Sequence, residues 1–307
     1  MEIYETKTSL TVAKPSTVRL SASDKIFYGF IDVLLVLLFF IIAIPLWSTI
    51  TLSFRPNDFI GTNLEGMFLM PWKWSTAAYK ALMGNDGFLM AFGNSFKIML
   101  AGVASALFLT IPLAYALSIR SLPGRAILTV IVLVPHMFDV GMIPSFLMVK
   151  DLGLIDHLAA VYLPTAVSTY NCLIMKGFFE GIPDELKESA RIDGASEFYL
   201  LLRIIIPLSK PIIMSVGLFY AVSFWNDFFH AMLYLNSNNL MPLPILLRNI
   251  LMASGMNEFV EVSAFGEAPI QAIKAASVFL AAIPMVIAYP FIQKYFAKGT
   301  LLGSIKG

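Results

Sequence analysis

Six long apolar runs decide what this chain can fold into: about Phe27–Thr49, Phe88–Leu117, Ala126–Val149, Ala159–Phe179, Pro211–Leu235 and Ile273–Ile292. Each approaches or exceeds the roughly 20 residues that a helix needs to cross a hydrocarbon layer. In lipid every backbone N–H and C=O must be paired within the protein, so only helices or a closed barrel can span it. The alternating segments of a barrel are absent, which predicts an all-α membrane protein of six transmembrane helices. Composition agrees, since 58% of residues are hydrophobic and only 13% charged, against about a quarter charged in soluble domains. The first run follows a polar leader and ends in Trp47-Ser48-Thr49 without a small-residue cleavage pattern. It reads as a retained anchor and not as a signal peptide.

Lysine and arginine accumulate on the cytosolic side of a membrane protein. With the amino end inside, the inner segments carry Lys7, Lys14, Arg19, Lys25, Arg120, Arg125, Lys176, Lys187, Arg191, Arg203, Lys210, Lys294, Lys298 and Lys306. The outer segments carry only Arg55, Lys73, Lys80, Lys150 and Arg248. This asymmetry predicts a multi-pass protein with both termini in the cytosol. Three regions follow: a cytosolic tail over 1–26, a membrane region over 27–292 and a basic, Gly-rich cytosolic tail over 293–307. In the outer segment 54–87, Pro71-Trp72-Lys73-Trp74 has the makeup of an interfacial anchor. In the outer segment 236–271, Leu243–Met252 is a lid helix or a re-entrant piece. The net charge of +1 carries no sign of nucleic acid as a partner, and the lone Cys172 excludes an internal disulfide framework.

Between the fourth and fifth runs lies the polar stretch Glu185 to Pro211. Pro183 suits the first turn of a helix, where its missing N–H costs nothing, and Asp184 and Glu185 favour the positive end of the helix dipole. Gly194 turns the chain by taking a positive φ, and Ser196 caps a second helix over Glu197 to Arg203, which Pro207 and Pro211 are expected to break. The result is a rigid, exposed helical hairpin on the cytosolic side.

Glu188-Ser189-Ala190, Asp193-Gly194-Ala195 and Ile206-Pro207 resemble the EAA loop of the membrane permeases of bacterial ABC importers, with Ser189 standing where that family usually has Ala. Met142-Ile143-Pro144, Leu152-Gly153-Leu154-Ile155-Asp156, Ile182-Pro183-Asp184-Glu185-Leu186, Phe224-Trp225-Asn226-Asp227-Phe228, and Gln293-Lys294-Tyr295-Phe296 through Lys306-Gly307 are similar to the carbohydrate-uptake branch. The smaller maltose permease subunit belongs to that branch. Leu243 to Arg248 and Tyr289-Pro290-Phe291 resemble its polysaccharide- or lipoprotein-type permeases. The resemblance implies a type I importer core over about 88–292 and a coupling hairpin over 184–207. Glu188, Ala190, Asp193, Gly194, Ala195 and Pro207 would couple it to the ATPase. It implies a sibling permease subunit in a heterodimer, two ATP-binding subunits and an extracytoplasmic solute-binding protein, in the bacterial cytoplasmic membrane. The expected function is import of a sugar, oligosaccharide or polysaccharide fragment.

No P-loop pattern G-x-x-x-x-G-K-[ST] occurs, so ATP and Mg are expected on a partner and this chain is expected to be no enzyme and to hold no cofactor of its own. His136, His157 and His230 have no metal-ligand spacing. Polar groups within spans are costly and therefore functional or paired. His136 and Asp139 lie three apart, either facing the pathway or holding helices together. Tyr170, Asn171, Trp225, Asn226 and Asp227 have the aromatic faces and planar amide or carboxylate groups that bind sugars, or else they pack and cap helices. A permease for a non-sugar solute, or an ion-coupled carrier using His136 or Asp139, are the alternatives.

Overall fold

The computed structural model describes residues 21–59, 65–66, 68, 71–138, 140–252 and 268–303, with backbone alone for Ala22 and 291–303. Most of the tail 1–26, Asp139, residues 253–267 of the outer segment and the side chains of the tail 293–307 therefore lie outside the described residues. Among the described residues the chain is helical and has no strand. It divides after Ser48 into two units. The first, as far as it is described, is most of α1 (Ala22–Ser53), whose apolar side chains from Ile26 to Trp47 are largely exposed, as a lipid-facing helix requires.

The second unit contains twelve further helices among the described residues. They are α2 (Ala77–Met83), α3 (Asp86–Ser118), α4 (Arg125–Met137), α5 (Met142–Asp151), α6 (Ala159–Tyr162) and α7 (Thr169–Glu180). Then come α8 (Asp184–Ile192), α9 (Glu197–Leu208), α10 (Lys210–Trp225), α11 (Phe229–Tyr234), α12 (Leu243–Met252) and α13 (Ile270–Gly303). Two single turns, Pro71–Lys73 and Asn238–Leu240, complete it.

α3 is the centre of this unit. Asn85 caps it by accepting from the Phe88 amide at 2.9 Å. Its buried residues Phe88, Ala91, Ser95, Ile98, Gly102, Ala106, Thr110, Ala114 and Leu117 recur at three and four positions, which makes one stripe along a helix. α10 and α7 pack along that stripe. Small residues in it let backbones approach closely. At Gly102 the ring of Phe224 comes so near that a Cβ there would lie 2.6 Å from it. Hydroxyls tie the same three helices: Thr110 Oγ1 and Tyr220 OH are 2.8 Å apart, and Tyr220 OH accepts from the Ser168 amide at 3.0 Å. A second apolar cluster joins α2, α12 and α13 through Ala78, Leu82, Leu243, Ile273 and Ala276.

Among the described residues three helices are long and apolar enough to cross a membrane, Ser23–Ser53, Asp86–Ser118 and Ile270–Pro290, and the bent pairs α4 with α5 and α9 with α10 make up to five if each pair is one span. The third expected span is two helices, α4 and α5, on either side of residues 138–141. The fourth, Ala159–Phe179, is not one helix either. Pro164 and the capping Ser168, whose Oγ accepts from the Asn171 amide, separate α6 from α7. The fifth, Pro211–Leu235, breaks at Asn226 and Asp227, where Asp227 caps the short α11 by accepting from the His230 amide at 3.0 Å. Of the two expected anchor tryptophans, Trp72 is exposed, whereas Trp74 stacks on Phe54 at 4.7 Å.

One turn links the ends of two broken runs. Asp156 has φ +61°, rare for a residue other than glycine. Its backbone amide donates to Tyr234 O at 2.9 Å, and its carboxylate accepts from the Asn236 and Ser237 amides, both at 2.9 Å, and from the Ser237 hydroxyl. These bonds hold the Asp156 carboxyl below its usual range, the Ser237 hydroxyl first among them.

Candidate functional site

The hairpin forms as its local chemistry dictates. α8 ends at Ile192 with Asp193 as its C-cap, and Gly194 turns the chain at φ +82°. The turn is closed by Gly194 N donating to Arg191 O and Ala195 N to Ala190 O, both at 3.0 Å. Ser196 Oγ then accepts from the Tyr199 amide at 3.3 Å and starts α9. Pro207 does not end this helix. Residues Leu201–Ile205 form a turn of the wider π register, and helix continues to Leu208. A wider turn absorbs the bond that proline cannot donate. The break comes at Ser209, where α10 leaves α9 at 83°.

Charged groups close the hairpin on itself and on the spans. Arg191 Nε donates to Glu197 Oε1 at 2.8 Å, across the turn. Glu197 Oε2 accepts from Tyr115 OH, near the end of α3, at 2.6 Å. The Arg191 bond, and then the Tyr115 bond, hold the Glu197 carboxyl below its ordinary value although partial burial opposes this. Lys187 is buried and donates to Asp184 at 3.0 Å and to Phe179 O at 3.4 Å. Its ammonium likewise holds the Asp184 carboxyl low. Beside these bonds lies a small, open polar cleft of about 170 Å³ lined by Ser118, Arg120, Glu180, Glu188 and neighbours. Glu180 receives Arg125 from α4 and Lys176 from its own helix.

Of the six hairpin residues that the resemblance marks, Glu188, Asp193, Gly194 and Pro207 are exposed, while Ala195 is half-buried and Ala190 is half-buried against the main core. The hairpin also exposes large apolar side chains, Ile192 at 85% and Phe198 at 70%, with Leu186 and Tyr199 near them in sequence. Tyr115, Lys187 and Glu197 were not singled out as contacts, because nothing in the sequence joins residues 82 positions apart as Tyr115 and Glu197 are.

The expected pathway residues do not form one group. His136 is exposed on α4, which ends at Met137, and Asp139 lies outside the described residues. Tyr170 is exposed and Asn171 buried on adjacent positions of α7. Trp225 is buried, with Nε1 donating to Ala281 O at 3.0 Å and its ring edge-on to Phe92 and Phe96. Asn226 is exposed and donates back to Val222 O, and Asp227 is paired with His230 Nδ1 at 2.8 Å.

Residues 98–301 match the family of binding-protein-dependent transport system inner membrane components. The polygalacturonan/rhamnogalacturonan transport system permease protein YtcP of Bacillus subtilis is 40% identical over 92% of this chain and 98% of its own length. Protein LplC of the same organism is 43% identical over 79% of this chain and 83% of its own. The arabinooligosaccharides transport system permease protein AraQ of Halalkalibacterium halodurans is 29% identical over 87% and 92%. In the crystal structure of a bacterial ABC transporter involved in the import of the acidic polysaccharide alginate, one chain superposes with a TM-score of 0.83. It has 30% identity, covering 91% of this chain and all of that one.

Proposed function

The chain belongs to the family of binding-protein-dependent transport system inner membrane components, and from that premise we propose that it is one permease subunit of an ATP-driven importer for an oligosaccharide or polysaccharide fragment. Relatives named for polygalacturonan/rhamnogalacturonan and for arabinooligosaccharides support a saccharide as the solute. The fold likeness to the alginate importer supports it too. ATP and Mg belong on a pair of partner subunits, a sibling permease completes the pathway, and a solute-binding protein delivers the sugar from outside. Both termini and the hairpin face the cytosol.

The observation that carries the coupling role is the hairpin's surface. A helix closed by ion pairs and ending in exposed Ile192, with exposed Phe198 just beyond the turn, presents apolar area that water alone does not favour. Glu188 and Asp193 place charge beside it. Such a knob suits a groove on an ATP-binding subunit. Closure of the nucleotide-loaded pair would carry it as a rigid body and turn the spans between inward-open and outward-open states. His136, Tyr170 and Asn226, which expose their side chains, are the residues best placed to meet solute. Trp225 and Asn171 would act through packing.

Purification in mild detergent followed by mass spectrometry of the co-eluting proteins tests the assignment. A stoichiometric partner with a P-loop is the expected result, and a chain that elutes alone, without ATPase, would overturn it. Gly194→Val forces a β-branched residue into a left-handed turn. It is expected to leave ATP hydrolysis running while uptake fails, and unchanged uptake would remove the hairpin from the mechanism.

A further inference from the structure

The two helices of the hairpin are held to the rest of the protein in different ways. α9 is packed: Leu200, Leu201 and Ile205 are buried in the main core beside Tyr115 and Phe179. α8 is mostly exposed and polar, and a small polar cleft opens between it and the end of α3 where close packing would otherwise hold it. Besides the turn at Gly194 and the short link from buried Ile182, contacts that hold α8 include the half-buried Ala190, the Lys187 bond to Phe179 O, and Arg191. Arg191 leads directly to Glu197 Oε1, and Glu197 Oε2 leads directly to Tyr115 OH, one turn before the end of α3. Tyr115 is itself buried, its ring edge-on to Phe179 at 6.4 Å.

A well-packed interface transmits movement through many contacts, so no single bond matters to it. Across a cleft the same movement passes through the few bonds that bridge it. Charge-assisted bonds of the Arg–carboxylate and hydroxyl–carboxylate kinds are the strong, directional ones.

We propose that Glu197, held between Arg191 and Tyr115, is the joint through which displacement of α8 drives α3, and that Tyr115 and Glu197 are positioning residues for energy coupling. The proposal rests on the reading that the hairpin receives the ATP-driven motion. Movement of α3 would then reach α7 and α10, which pack along it. Tyr115 would do this without touching solute or nucleotide.

The test uses the transporter assembled with its partner subunits in lipid nanodiscs. The sole native cysteine, Cys172, is buried. A cysteine introduced at an exposed position in α11 or just beyond it, whichever of Met232, Asn236 or Asn238 responds most to ATP, reports movement through its rate of labelling by a water-soluble maleimide. Tyr115→Phe keeps the ring and removes only the hydroxyl. It is expected to hydrolyse ATP at the parent rate while the ATP-induced change in labelling falls about tenfold, the effect of losing one bond to a charged group. Glu197→Ala should do the same. Glu197→Gln, which keeps one acceptor oxygen but loses the charge and the second acceptor, should retain only part of the response. A merely structural role would not separate hydrolysis from movement in this way. Full labelling responses in both Tyr115→Phe and Glu197→Ala would overturn the joint. If Tyr115→Phe does not assemble, Glu197→Ala decides alone. Gly194→Val in the same assay separates the two ideas. If it uncouples while Tyr115→Phe does not, only the joint is lost. If it also responds like the parent, the coupling role of the hairpin falls with it.

Discussion

Replacing Gly102 by alanine should change sign with the residue it faces. A Cβ at this position would lie 2.6 Å from Phe224 Cδ2 and 2.9 Å from Cε2 and Cγ. Carbon atoms prefer about 3.5–4.0 Å, so the overlap is close to an ångström. The ring has nowhere to go. It is 3% exposed, lies parallel to Tyr220 at 5.9 Å and meets Tyr162 edge-on at 6.4 Å. Overpacking of this kind costs about 1–3 kcal/mol. Alanine also favours helix over glycine by about 1 kcal/mol, which works in the opposite direction. Gly102→Ala should therefore destabilise the parent by about 0–2 kcal/mol. In a Phe224→Leu background the obstructing ring is gone and only the helix preference remains. There Gly102→Ala should stabilise by up to about 1 kcal/mol. The four variants of this cycle are compared by thermal midpoint in detergent with a fluorescent size-exclusion readout. A coupling of about 1–3 kcal/mol between the two sites is expected. An effect of the same sign and size in both backgrounds would refute the claim that the Gly102–Phe224 approach sets the α3–α10 spacing.

Tyr220→Phe leaves the half-buried Ser168 amide and the buried Thr110 hydroxyl without their partner, at a cost of about 1–3 kcal/mol, readable as a lowered thermal midpoint. Asp156→Ala should speed hydrogen exchange at the Asn236 and Ser237 amides, whereas Asp156→Asn, which tolerates positive φ and still accepts, should leave them near the parent rate; equal exchange in the two variants would contradict the latch. Glu197 has a folded-state pKa below its ordinary 4.5, so its contribution is complete above that value and is lost as pH falls through the lower, folded pKa. Exchange of amides 190–200 should accordingly stay constant from neutral pH down to about 5 after correction for intrinsic rates, and rise only in more acidic buffer.

The parts of this fold legible in the sequence are those set by local chemistry. Pro183 precedes α8, Gly194 takes the left-handed turn and Ser196 caps α9, each as its residue type requires. The apolar runs announce helices because hydrophobicity is a property of the segment itself. Their interruptions were harder to see. Pro164 and Ser168 split one run, and Asn226 and Asp227 another, within stretches apolar enough overall to read as single spans. Pro207 misleads in the opposite sense, since the π turn before it lets α9 run on to Leu208. The Tyr115–Glu197 and Asp156–Ser237 bonds close loops of about eighty residues, and no local pattern specifies such a partner. Trp225 and Asn226 are neighbours of similar promise in sequence, yet one is buried under Phe92 and Phe96 and the other exposed. Only packing distinguishes them.

The shortness of α7 bears on how this protein is made. It has 12 residues, which gives about 18 Å, well under the roughly 30 Å of a hydrocarbon layer. It also carries Lys176 and Glu180 near one end. A segment of that length and polarity gains too little from lipid to enter a membrane by itself. Its buried Cys172, Met175 and Phe179 belong to a core that α3 and α10 complete. During synthesis α3 emerges before it and α10 after it, so the ribosome must deliver more than forty further residues before α7 has its full lodging. Biogenesis of this chain is thus a delayed, collective insertion, and a stall between residues 180 and 225 would leave α7 waiting at the insertion machinery.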